Sequence, residues 1–201
     1  MLDGWVRPRI DPMLDRIAAV LARRGVSANA ITIGAFAVGL AAAAAIAGGA
    51  YLAGLILLLA SRLGDGLDGA VARIGGKSDL GGYLDIVLDF AFYGAIPMAF
   101  VLADPAANAV AGAVLLVAFY VNGSSFLAYA VMAERRKMET SARGQKSLFF
   151  TTGLAEASET ILFFAAFCLF PQWFAALAYA FAALTFYTAI SRVVLAWRTL
   201  R

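Results

Sequence analysis

Six long apolar stretches constrain this chain more than any other feature of its sequence. They fall at about 28–49, 51–73, 82–103, 106–132, 147–170 and 172–198. A helix needs roughly 20 apolar residues to cross the ~30 Å hydrocarbon core of a bilayer, and each stretch reaches that length. Composition points the same way. Of the 201 residues, 63% are hydrophobic and 14% charged, against about 45–50% and about 25% in soluble domains. A soluble globular enzyme is thereby excluded. The expected fold is an all-α integral membrane protein of six transmembrane helices, with residues 28–201 as one membrane domain. Residues 1–27 mix charge with apolar side chains and lack the continuous apolar core of a signal peptide. Within them Met13, Leu14, Ile17, Val20 and Leu21 recur at helical spacing, with Arg16, Arg23 and Arg24 interleaved. Asp11-Pro12 reads as a cap followed by the first helical residue. An N-terminal amphipathic helix lying in the membrane interface, basic face toward the headgroups, is the expectation.

The charges give the topology. With six spans both termini share a side. The basic residues of the N-terminus, of the segment around Arg62, Arg73 and Lys77, of the 133–146 loop and of the C-terminal end then all fall on that side. That accounts for all 16 Lys and Arg residues. By the positive-inside rule this side is the cytoplasm. Trp173 and Trp197 sit near opposite ends of the last stretch, as interfacial anchors do. Gly and Ala are abundant in the spans and permit close helix contacts.

The residues available for chemistry are few. There is no histidine and one cysteine, Cys168, which excludes His-based triads, His-ligated metals and cysteine-rich zinc sites. Cys168 reads as packing. Carboxylates remain, and they are costly within a membrane. Asp65 and Asp68 are three apart near the end of the second stretch; Asp85 and Asp89 are four apart near the start of the third. Each pair lies on one helical face, and a hairpin between the two stretches brings both pairs to similar depth. Four facing carboxylates cannot all ionise without a counter-charge. Mg²⁺ or Mn²⁺ suits an all-oxygen ligand set. Gly64, Gly66 and Gly69 flank the first pair and Gly75, Gly76, Gly81 and Gly82 precede the second, so a ligand can approach the backbone. Arg73 is a fixed cation suited to a phosphate. Metal-binding carboxylates, glycines and an arginine together describe a pyrophosphate site. The competing structural reading pairs the aspartates with Arg62, Arg73 and Lys77. Glu156 and Glu159 share a face in the fifth stretch and either line an acceptor pocket or pair with Lys146 and Arg192.

These residues resemble a known signature. Asp65, Asp68, Gly69, Ala72 and Arg73, followed by Gly81, Asp85 and Asp89, are similar to the D-x-x-D-G-x-x-A-R … G-x-x-x-D-x-x-x-D motif of the CDP-alcohol phosphotransferases, also called CDP-alcohol phosphatidyltransferases. Every defining position is present. Asn29-Ala-Ile-Thr32 also looks like the family's N-x-x-T segment, with Ala28 where a proline often stands. The resemblance implies an interfacial N-terminal helix followed by six spans, and a homodimer. It implies that Asp65, Asp68, Asp85 and Asp89 hold Mg²⁺ or Mn²⁺ and that Asp89 is also the catalytic base. Asn29, Thr32, Gly69, Arg73, Ser78 and Gly81 would contact the CDP-alcohol. The implied reaction is attack of an alcohol on the β-phosphate of a CDP-alcohol such as CDP-diacylglycerol, releasing CMP. The expected place is a bacterial cytoplasmic membrane, active site toward the cytoplasm, among membrane lipid and with no nucleic-acid partner.

The acceptor is read from weaker signals. Arg135, Arg136, Lys137, Arg143, Lys146 and Arg192 lie on the same side, and Arg143, Lys146 and Arg192 are the candidate acceptor contacts. Family members using inositol phosphate tend to carry arginines beside paired glutamates, where this chain has Ala157 and Thr160. Asp89-Phe-Ala-Phe-Tyr-Gly-Ala-Ile-Pro97 is similar to a D-x-x-x-F-G-x-x-P segment of phosphatidylserine synthases, with Tyr93 for the phenylalanine. Serine is therefore placed ahead of glycerol 3-phosphate, with inositol phosphate third. The rival class is a divalent-cation transporter using the same aspartates, but transport sites lie near the midplane.

Overall fold

The structure, a computed structural model, describes residues 3–136 and 157–200. They form helices α1 (Asp3–Arg23), α2 (Ala28–Ala47), α3 (Tyr51–Gly75), α4 (Asp79–Ala103), α5 (Pro105–Arg135), α6 (Ala157–Leu169) and α7 (Phe174–Thr199). A short 3₁₀ turn, Pro171–Trp173, precedes α7, and no strand occurs among the described residues. Four segments, Ala28–Ala47, Asp79–Ala103, Pro105–Arg135 and Pro171–Thr199, are long and apolar enough to cross a membrane. Helix α3 is long enough, at 25 residues or about 37 Å, but Arg62, Asp65 and Asp68 interrupt its apolar run.

Local chemistry sets the boundaries. Ser27 caps α2, its Oγ accepting from Ala30 N at 3.3 Å. Asp104 caps α5 by accepting from Ala107 N at 3.1 Å, with Pro105 as the first helical residue. Ser78 caps α4 by accepting from Gly81 N at 3.1 Å. That cap starts α4 at Asp79, three residues before the start expected from hydropathy alone. Helix α3 ends at Gly76, whose φ of 98° is a left-handed conformation open to glycine. At the N-terminus the expectation is corrected. Asp11-Pro12 does not begin α1, which starts at Asp3 and runs through Pro8 and Pro12. Each proline removes one donor from the ladder without breaking it.

Small residues on α2 and α3 allow very close packing. A Cβ on Gly64 would lie 2.8 Å from that of Ala35, and one on Gly54 would lie 2.5 Å from Ile46. Ser61 of α3, fully buried, donates to the Ala35 carbonyl of α2 at 2.7 Å. Helix α2 packs extensively against both α3 and α4, and α3 meets α4 through long side chains, Arg62 reaching both Asp89 and Phe92. The α3–α4 hairpin expected from sequence brings Asp85 of α4 beside Asp65 and Asp68 of α3.

The main core is aromatic and reaches the site at Phe92. Phe92 and Phe100 of α4, Phe164 and Phe167 of α6, and Phe174 and Phe181 of α7 are fully buried. Phe100 and Phe174 stack with centroids 4.8 Å apart, and Phe163 stacks on Phe181 at 4.3 Å. A second, smaller cluster joins Leu14 and Ala18 of α1 to Ala70 and Val71 of α3. It holds α1 across the end of α3 that carries the aspartates.

Candidate active site

The facing ends of α3 and α4 bring carboxylates together. One oxygen each from Asp65, Asp68 and Asp85 lies within 4.8 Å of the other two. Asp65 and Asp68 share a face of α3 because they are three residues apart. Asp85 reaches them from the second turn of α4. Asp68 is buried, with 5% of its surface exposed, and its Oδ2 has no hydrogen-bond partner. A buried carboxylate oxygen left unpaired is costly, and a cation is the natural partner for it. Three oxygens at this spacing fit one hard divalent ion, with Asp85, on the exposed side, leaving an approach for ligands.

Asp89 lies beside the triad, against Asp65. Its Oδ1 accepts from Arg62 Nη1 at 2.7 Å, and the same nitrogen lies 3.4 Å from Asp65 Oδ1. The Arg62 side chain is only 7% exposed. Its guanidinium rests on the Phe92 ring, 3.7 Å from the centroid, and Nη2 donates to Ser61 Oγ at 3.2 Å. The aspartates therefore show both arrangements weighed from sequence: Asp65, Asp68 and Asp85 cluster, and Asp65 and Asp89 pair with Arg62.

The residues expected around the nucleotide fall in two groups. Asn29, Ser78 and Gly81 converge where α2 and α4 begin. A Cβ on Gly81 would sit 2.9 Å from Asn29 Oδ1 and 3.0 Å from Ser78 Oγ, so only glycine fits without displacing them. Thr32 is buried one turn further, donates to the Ala28 carbonyl at 3.0 Å, and neighbours the Asp68 carboxylate. A Cβ on Gly69 would come no closer than 4.0 Å to another side chain, that of Arg73 at Nη1, which leaves room for a ligand at its surface. Arg73 itself reaches α1, donating to Asp15 Oδ1 at 2.8 Å. Both side chains of that pair are more than half exposed.

Among the acceptor candidates, Arg143 and Lys146 lie outside the described residues, as do Lys137 and Glu156. Arg192 joins α7 to α5. Its Nη1 donates to Asn122 O, Asn122 Oδ1 and Ser125 Oγ at 2.9 to 3.0 Å. Arg136 closes the same two helices by donating to the Leu200 carbonyl. Sequence reasoning did not single out Arg62 as a site residue. The available signal was a cation within an apolar run, one helical turn before Asp65.

Comparison with known proteins fits this geometry. The profile of the CDP-alcohol phosphatidyltransferase family matches residues 25–197. The inner membrane protein YnjF of Escherichia coli (strain K12) is 45% identical over all of this chain and 98% of its own length. The archaetidylinositol phosphate synthase of Methanothermobacter thermautotrophicus is 31% identical, over 98% of this chain and 92% of its own. Crystal structures of the Mycobacterium tuberculosis phosphatidylinositol phosphate synthase share the fold at a TM-score of 0.67. One has CDP-DAG bound, is 21% identical, and matches over 92% of this chain and 94% of that one. The other is a complex with manganese and citrate, 22% identical, over 92% and 88%.

Proposed function

The chain belongs to the CDP-alcohol phosphatidyltransferase family, membrane enzymes of phospholipid synthesis, and on that premise we propose that it moves a phosphatidyl group from CDP-diacylglycerol to a small hydroxyl acceptor with release of CMP. The observation carrying this reading is the convergence of Asp65, Asp68 and Asp85 around the unpaired Oδ2 of Asp68. A divalent ion, Mg²⁺ or Mn²⁺, bound there would supply the positive charge that a pyrophosphate needs. Asn29, Thr32, Ser78 and Gly81 form the neighbouring cradle for the CDP moiety, with Gly69 giving the closest backbone approach. Asp89 takes the proton from the acceptor hydroxyl as its oxygen attacks the β-phosphorus. The bond from that phosphorus to the bridging oxygen breaks, and CMP leaves with the electron pair. Per turnover, one alcohol and one CDP-lipid give one phospholipid, one CMP and one proton.

The reading extends to the membrane. Helices α3 and α6 complete six spans, and α1 lies in the interface. Leu52, Ile56, Leu59 and Leu63 support a spanning α3, because they form an exposed stripe at helical spacing. Such a stripe suits lipid and not water. The triad falls in the last third of α3 and the first turns of α4, toward the basic and hence cytoplasmic side. A divalent-cation transporter would place it nearer the midplane.

Serine leads as acceptor on the sequence of the Asp89–Pro97 segment. Inositol phosphate is the second reading, favoured by the archaetidylinositol phosphate synthase relative. The test is CMP release from CDP-diacylglycerol by the purified protein, with serine, glycerol 3-phosphate and inositol phosphate supplied separately. Stimulation by one of them is expected and names the acceptor. No CMP release with any of them, or with other small alcohols, overturns the proposal.

A further inference from the structure

Resting on the transferase reading above, we infer that Asp15 of α1 is a positioning residue for the donor: it ties one arm of the Arg73 guanidinium and so presents the other arm beside Gly69, where the pyrophosphate of the CDP-lipid approaches. The two arms are separately placed. Arg73 Nη2 donates to Asp15 Oδ1 at 2.8 Å. Nη1 is the side-chain atom nearest to a Cβ built on Gly69, at 4.0 Å. Arginine spreads five donors in a rigid planar fork. A carboxylate on one nitrogen therefore fixes the direction of the other without using it. Without that tie Arg73, which is 52% exposed, would have to lose its rotamer freedom as the donor binds.

Asp15 is itself held in place. Its neighbour Leu14 and Ala18 are buried against Ala70 and Val71 of α3. Gly66, between Asp65 and Asp68, admits Leu14 closely, since a Cβ there would lie 3.0 Å from Leu14 Cδ1. At about 3.6 residues per turn, Asp15 falls on the flank of α1 opposite Met13, Ile17 and Val20, which are all exposed. The apolar flank suits lipid, and the opposite flank carries the carboxylate to Arg73. The Asp15–Arg73 pair spans 58 residues of chain and joins the interfacial helix to the signature arginine. Because both side chains are more than half exposed, the pair adds little to folding stability. Its effect falls on the orientation of Arg73.

The test is steady-state CMP release by the purified full-length protein across a series of CDP-diacylglycerol concentrations, with the acceptor that supports release at saturation. Asp15→Ala should raise KM for CDP-diacylglycerol about two- to fivefold, with kcat and melting temperature near those of wild type. Asp15→Glu should recover part of that rise, and Asp15→Asn less, because the charged acceptor makes the stronger hydrogen bond. On an Arg73→Lys background, whose single nitrogen cannot serve both partners, Asp15→Ala should raise KM no further. An unchanged KM in Asp15→Ala, or a further rise of the same size on the Arg73→Lys background, overturns the inference while the transferase reading stands. A lower KM in Asp15→Ala overturns it too, since that is the mark of a carboxylate competing with the donor for Arg73. No CMP release by wild type with any acceptor would remove the transferase reading and the inference with it.

Discussion

At the scale of single residues, each site side chain is held by contacts that make its substitution readable. Asp68 is buried with one oxygen unpaired, a destabilising arrangement that folding would not favour for its own sake. Asp68→Asn should raise the melting temperature of metal-free protein and abolish the increase that Mn²⁺ gives to wild type, as thermal denaturation in detergent will show. Asp89→Asn keeps the shape but removes the proposed base, so kcat should fall by about 10²–10⁴-fold with a smaller effect on KM. Near-normal turnover would dismiss Asp89 from that role. Gly81→Ala should raise KM for the CDP-lipid, because its methyl would meet Asn29 and Ser78. All these residues were legible in the sequence, since carboxylates and glycines in an apolar chain stand out by cost alone. The division of labour among the aspartates was not. Spacing places four carboxylates near one another but cannot say which of them Arg62, from one turn earlier, will take.

At the scale of elements, the site depends on how α2, packed against both α3 and α4, holds their aspartate-bearing ends facing each other. Gly39 of α2 is the tightest point. A Cβ there would lie 2.6 Å from the Phe92 ring and 2.9 Å from Ser61 Oγ, the two groups that seat Arg62. Gly39→Ala should therefore cost about 1–3 kcal/mol and lower activity, whereas Gly34→Ala, with nothing within 4 Å, should do neither. Paired stability and CMP-release measurements on the two variants separate these outcomes. The starts of α2 and α5 fell within a residue of the apolar boundaries read from sequence, and Ser27 and Asp104 cap them there. A start was missed where capping chemistry conflicts with the outcome. Asp11-Pro12 has the form of a helix start, yet Asp3–Arg23 continues through it. The α3–α4 pairing was legible from the helical spacing of the aspartates, whereas the central place of α2, packed against both helices, was not.

At the scale of the whole molecule, the apolar run lengths and the one-sided basic residues made the membrane character plain from sequence. Four described helices meet the requirements for crossing; α3 falls short only because its polar residues build the site. If all six spans cross, cysteines introduced at Gly49 and at Lys77 must lie on opposite sides. In inside-out vesicles a charged maleimide should label the Lys77→Cys protein and spare the Gly49→Cys protein. The reverse pattern would invert the topology, and labelling of both would break it. On the proposed topology the carboxylate site opens toward the cytoplasmic face, which would suit a donor whose nucleotide is in water and whose acyl chains are in lipid. The measurement that tests this account most directly is CMP release from CDP-diacylglycerol by the purified protein, before chelation, in excess EDTA and after Mn²⁺ is restored, with Asp68→Asn alongside. The account predicts release that falls to background in chelator, returns with the metal, and never rises above background in Asp68→Asn. Undiminished release in excess chelator, or wild-type release by Asp68→Asn, would contradict it.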